Sequence, residues 1–101
     1  MITKKIVDHE NEILKKKKHK LLKKITEYCN FHNISLTHHT DFKLDICLTL
    51  RKSSTVLYGK KPMEMVESSQ CYIKHEELIN SSVFRIFKNF KSYVHFIGFE
   101  V

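Results

Sequence analysis

The sequence predicts an α+β domain in which two helices cover one face of a four- to five-stranded, mainly antiparallel sheet, in the order (β)αβββ(β)αβ. Three changes of period predict it. Apolar residues recur at helical spacing from Asp8 to His32 and alternate from Asp41 to Arg51. They return to helical spacing from His75 to Phe90, before Tyr93 to Val101 alternates again.

Residues 2–7 suit a short edge strand or a loose arm ahead of the first helix. Asp8 is the expected N-cap, with Glu10 and Glu12 early and lysines later, the charge order the helix dipole favours. Leu14, Leu21, Leu22, Ile25, Tyr28, Cys29 and His32 fall in one arc of that helix and Lys15, Lys16, Lys17, Lys20, Lys23 and Lys24 spread over the other side, with Lys18 inside the apolar arc and Ile13 outside it. In Asp41–Arg51, Phe42, Leu44, Ile46, Leu48 and Leu50 make a wholly apolar face opposite Lys43, Asp45, Cys47, Thr49 and Arg51. Such a strand belongs to a sheet covered on one side and wet on the other. Ser53 and Ser54 are read as a turn into a strand Thr55–Tyr58, which Gly59–Pro62 ends. Met63 to Ile73 fits either a strand or a helical turn followed by a strand. In the second helix Ile79, Val83, Ile86, Phe87 and Phe90 share a face, and Tyr93–Val101 is the expected last strand.

With 101 residues and 42% hydrophobic content, the chain suits one domain, 1–101, able to bury about 60–70% of its unfolded surface. Its formal charge of +7 is uneven: residues 1–32 carry nine lysines against four acids, whereas residues 63–101 carry four basic residues against five acids. The three cysteines are odd in number and widely spaced, and no signal-like stretch is visible, so a reducing compartment is expected. That compartment is the cytoplasm, or a host cytoplasm or nucleus for a viral protein. No apolar run approaches the roughly 20 residues of a membrane helix, and no membrane partner is expected. Alanine is absent and Lys outnumbers Arg sixteen to two; with many Ile, Asn and Phe, this implies AT-rich coding of the kind common in phages, viruses, symbionts and parasites.

The strongest functional signal is Lys15–Lys24, seven lysines within ten residues and no acid among them. Such a field suits phosphate backbones or acidic protein patches. A solvated helix face explains the same residues equally well, and in a eukaryotic source the run also matches a nuclear-import signal. The candidate binding residues are Lys15, Lys16, Lys17, Lys20, Lys23 and Lys24, helped by Lys43, Arg51, Lys52, Lys60 and Lys61. A second candidate is Phe84, which leaves the apolar arc of its helix and joins Arg85, Lys88 and Lys91, as an aromatic used for base stacking or as a protein hot spot would. Burial of Phe84 under the 63–74 segment is the plainer expectation.

Cys29 with His32 and Cys71 with His75 have workable spacing within each pair for a Cys2His2 metal site, but the long gap and the lack of a paired CxxC favour a metal-free reading. His38 and His39 are adjacent and fall on opposite sides of a strand. No cofactor is expected. The αβββαβ order resembles the core of the restriction-endonuclease-like nucleases, which place an acid on one strand and an acid-x-lysine on the next. Asp41 and Asp45 can stand for the first acid, but Thr55, Val56, Leu57, Tyr58 supplies no second one. The αβββα portion is similar to a double-stranded-RNA-binding domain, yet Glu76 and Glu77 stand where that resemblance implies basic residues. There is no G-x-S-x-G elbow or phosphate-cradling loop, so no enzyme is expected.

These readings rank a small basic protein that binds nucleic acid or a nucleoprotein complex first. An inhibitor or adaptor of phage or viral type, blocking a host nucleic-acid machine through its acidic surface, comes second. A small metal-independent ribonuclease or toxin comes third. Self-association as a homodimer, through the terminal strand or Phe84, is a further expectation.

Overall fold

The computed structural model describes residues 2–100, and side chains from Glu12 onward. The chain is α+β, with helix α1 (Ile2–Phe31), strands β1 (Ser35–Thr40), β2 (Ile46–Tyr58) and β3 (Lys61–Ile73), and helices α2 (His75–Asn80) and α3 (Val83–Phe96). The strands form one antiparallel sheet in the order β1-β2-β3. The αβββα order is kept, and among the described residues no final strand follows it: Tyr93–Phe96 continues α3, and Val101 lies outside the described residues.

α1 begins at Ile2, so residues 2–7 are neither edge strand nor loose arm, and Asp8 lies inside the helix. The side chains of Asp8 and Glu10 lie outside the described residues. Leu21, Ile25 and Cys29 are fully buried, with Leu14, Leu22 and Tyr28 packed beside them. The helix ends in a Schellman turn: Asn33 takes φ 58°, its N–H bonds Asn30 O at 3.2 Å, and Ile34 N–H bonds Cys29 O at 2.8 Å. α3 closes the same way, with Gly98 at φ 76°, Gly98 N–H on His95 O at 3.1 Å and Phe99 N–H on Val94 O at 3.1 Å. In both turns the apolar pair that accompanies the motif, Ile34 with Cys29 and Phe99 with Val94, is buried.

The segment expected to be one strand from Asp41 is a turn first. Asp41 Oδ1 accepts from Lys43 N–H at 2.9 Å and Asp45 N–H at 3.0 Å, which diverts the backbone from a ladder. Leu44 takes φ 66°, and Phe42 is 91% exposed instead of core-facing. From Ile46 the alternation holds, with Ile46, Leu48 and Leu50 buried against the helices. Asp45 is buried as well, its Oδ1 accepting from His75 N–H at 2.8 Å and its Oδ2 3.4 Å from Lys74 Nζ. It thereby caps α2, whose own preceding residue Lys74 supplies no side-chain cap.

Ser53 and Ser54 make no turn. β2 runs through them, and β2 and β3 pair without interruption from Ile46↔Ile73 to Tyr58↔Lys61. Gly59 at φ 66° supplies the two-residue hairpin with Lys60, which settles 61–73 as strand. The second expected helix is broken between Asn80 and Val83, because Ser82 Oγ accepts from Arg85 N–H at 3.2 Å and starts α3 afresh.

β1 covers β2 only as far as Arg51. At that level Lys52 turns inward: its Nζ donates to His32 O at 2.9 Å and to Phe99 O at 2.6 Å, the carbonyls that follow α1 and α3. A cation there complements the negative ends of both helices. Past it every residue from Ser53 to Ser68 is exposed, so the hairpin projects as a two-stranded arm and the molecule measures 70 × 24 × 17 Å.

Replacing Lys52 by Met should cost about 1–3 kcal/mol in urea unfolding, since two carbonyls lose a charged donor. Leu57→Ser, out on the arm, should change stability by less than about 0.5 kcal/mol. Equal effects of the two substitutions would contradict this division of the molecule.

Candidate nucleic-acid interface

α1 and α3 pack side by side on the sheet, and both C-terminal ends meet Lys52. Their shared seam is aromatic. The Tyr28 ring lies 5.9 Å from Phe87 and 6.1 Å from Phe90, both edge-on, and 4.5 Å from His32. Lys17, Lys20, Lys24, Tyr28 and Phe31 recur three or four residues apart along the α1 flank of this seam. Phe84, Phe87 and Lys91 do the same along α3, with Lys88 next to Phe87.

The two rows touch at Phe87. Lys91 Nζ stands 4.9 Å and Lys24 Nζ 5.9 Å from its ring centroid, so one half-buried aromatic is flanked by cations from both helices. An open depression of about 310 Å³ there is lined by Lys24, Glu27, Tyr28, Phe31 and Phe87. Phe31, in its lining, is 81% exposed, and Phe84, one turn before Phe87 on α3, is 75% exposed. The burial expected for Phe84 is therefore overturned: α3 starts at Val83, and its first turn points Phe84 away from the sheet.

Lys15, Lys16, Lys20, Lys23 and Lys24 are exposed, and Lys17 is half-buried. Among the described residues the salt bridges are Lys74–Asp45 and His95–Glu100, and neither uses a lysine of α1. Lys18 alone in the run reaches the sheet, where its Nζ donates to Thr40 Oγ1. Arg85 and Lys88 are exposed near Phe84 in sequence and on the same helix.

The other candidates lie elsewhere. Lys43 sits in the 41–45 turn with its Nζ 5.8 Å from the Phe42 ring. Arg51 is exposed on the uncovered sheet face, and Lys52 is occupied with the helix ends. Lys60 and Lys61 stand at the arm tip, about 20 Å beyond Lys52 at the usual rise of a strand. Sequence reasoning missed Phe31, Tyr28 and Phe87. Phe31 was within reach, since the wheel that puts Lys20 and Lys24 on the outer side puts Phe31 there too.

The metal quartet does not converge. His32 lies beside Lys52 and His75 beside Asp45, at opposite ends of the covered part of β2. Among the described residues no group of three or more His, Cys, Asp or Glu is placed to hold a metal. Burial pushes the Cys29 and Cys71 thiols up to about 11, which makes them poor nucleophiles. No helix is long and apolar enough to cross a membrane.

At the C-terminal end of the seam, the Tyr28 hydroxyl donates to Glu100 Oε1, and Glu100 Oε2 lies 2.8 Å from His95 Nδ1. The Tyr28 hydroxyl, then His95, hold the Glu100 carboxyl below its ordinary range, while burial and Glu100 push Tyr28 up. Asp45 is also held down, first by the His75 N–H and then by Lys74.

Compared with protein-family models, curated proteins and solved structures, the chain matches none.

Two carboxyls lowered by folding stabilise the native state above the unfolded carboxylate pKa of about 4, and that contribution drains away as pH falls through the folded values. The urea midpoint should therefore drop on acidification below about pH 5. Glu100→Gln and Asp45→Asn should each flatten that drop; an unchanged acid limb in both would contradict the assignment.

Proposed function

We propose that the protein binds single-stranded nucleic acid along the α1–α3 seam, with little choice of sequence. The observation that carries this reading is the Phe87 ring with Lys24 and Lys91 both within 6 Å of it, Phe31 exposed in the same depression and Phe84 exposed one turn earlier on α3. Lysines placed on phosphates give affinity that falls with salt and read no bases. Aromatic faces add stacking, which needs bases that are not already stacked inside a duplex. The lysine run extends the cationic track along α1 from Lys24 back to Lys15, a length of about 14 Å at the rise of a helix.

The reading is of a binding protein, not an enzyme. A second reading is an adaptor or inhibitor that grips an acidic protein surface with the same lysines and uses the exposed Phe31 and Phe84 as anchors.

Fluorescence anisotropy with labelled single-stranded and duplex oligonucleotides over a salt series tests this. The single strand should bind more tightly, with an affinity that falls steeply with salt. Replacing Lys16, Lys20, Lys23 and Lys24 by Glu should abolish binding at low salt. Phe84→Ala and Phe31→Ala should each cost about 1–3 kcal/mol while leaving the salt slope unchanged. Retained binding by the quadruple variant, or equal affinity for duplex, would refute the proposal.

A further inference from the structure

The arm presents an apolar face that nothing covers among the described residues. Residues 46, 48 and 50 of β2 point into the core, and the same face continues outward as Val56 and Tyr58, joined from β3 by Met63 and Met65. A lone two-stranded ribbon is marginal in water, and an exposed apolar strip of this kind marks a contact surface. Both long edges of the arm are unpaired as well, because β1 stops opposite Arg51.

The charge order on that face identifies the occupant. Along β3 it reads Lys61, Met63, Met65, Glu67: a cation at the tip, two apolar residues, and at the base an anion whose cross-strand neighbour is Lys52, itself turned to the helix ends. Reversed end for end and laid against itself, this pattern sets Lys61 on Glu67 and Met63 on Met65, twice over. That is the self-complementarity of an isologous two-fold contact.

We propose that two copies of the chain dimerise by stacking these arm faces about a two-fold axis centred near Glu64, each tip lying over the other's base. Two ribbons at the usual face-to-face spacing of about 10 Å put the partner's arm level with the first copy's helices. Its tip then comes to the level of Lys52, where the segment after α3 reaches the sheet. Residues on the other arm face, Ser53, Thr55, Leu57, Glu64 and Val66, stay outside the contact. The two bodies project in opposite directions, each with its own α1–α3 seam. This contact does not depend on the nucleic-acid reading and is tested without nucleic acid.

Sedimentation velocity of the full chain over about 1–100 μM should show a monomer–dimer equilibrium. Glu67→Lys and Lys61→Glu should each weaken it about tenfold or more by setting like charges together, and the double swap K61E/E67K should restore it. Met63→Lys should leave a monomer whose circular dichroism keeps the helical signal of the body. A monomer at every concentration would overturn the proposal and leave the arm to a partner of another kind. A dimer indifferent to Met63→Lys, or one not recovered by the charge swap, would overturn it equally.

Discussion

One ammonium group, Lys52 Nζ, joins the ends of both long helices to the sheet. α1 and α3 each terminate in a Schellman turn, which leaves the chain running away from the helix with carbonyls still facing outward. Those carbonyls, from His32 and Phe99, are where a helix pair would otherwise lose hydrogen bonds to burial. Lys52 satisfies both, and its charge opposes the negative poles of both helices. Its position on β2, next after the last residue that β1 covers, also marks where the closed body stops. The sheet inside that boundary is sealed by Leu21, Ile25, Leu48, Leu50, Ile86 and Val94, and the sheet outside it is bare.

The same constraint builds the seam. Fixing both helix ends to one point holds α1 and α3 side by side along their C-terminal halves, so Tyr28 must pack edge-on against Phe87 and Phe90. The aromatic interior of the seam is structural, and its outer rim is cationic because the lysines take the positions that the core leaves free. A cation beside a ring that is partly out of water gains more than one in bulk solvent, which is how Lys24 and Lys91 come to sit by Phe87. The proposed affinity for a polyanion with exposed bases rests on this rim.

The core half of α1 was legible in the sequence because helical spacing from Leu14 to Cys29 has one explanation, and Ile46–Leu50 was legible because strict alternation has one as well. The errors cluster where a local side-chain bond competes with the pattern. Phe42 and Leu44 continue the alternation of the strand, yet Asp41 folds the backbone into a turn before it. Ser53 and Ser54 look like a turn pair, but their partners Val66 and Met65 hold them in the ladder. Tyr93–Val101 alternates in sequence, but its first residues also fit a helix face through Tyr93 and Val94, and packing of Val94 carries the helix on to Phe96. At the site, the lysines were visible as a run. Lys91 and Phe87 were not paired with them in advance, since no one-dimensional pattern says that residue 24 will stand over residue 87.

The central claim is that the chain divides at Lys52 into a sealed body and an uncovered arm. Native-state hydrogen exchange in dilute solution tests it most directly, amide by amide along β2. Ile46, Leu48 and Leu50 should exchange only through global unfolding, and protection should step down beyond Lys52 to the faster exchange of Ser53–Leu57. Protection of the arm equal to that of Ile46–Leu50 in the dilute monomer would contradict the account.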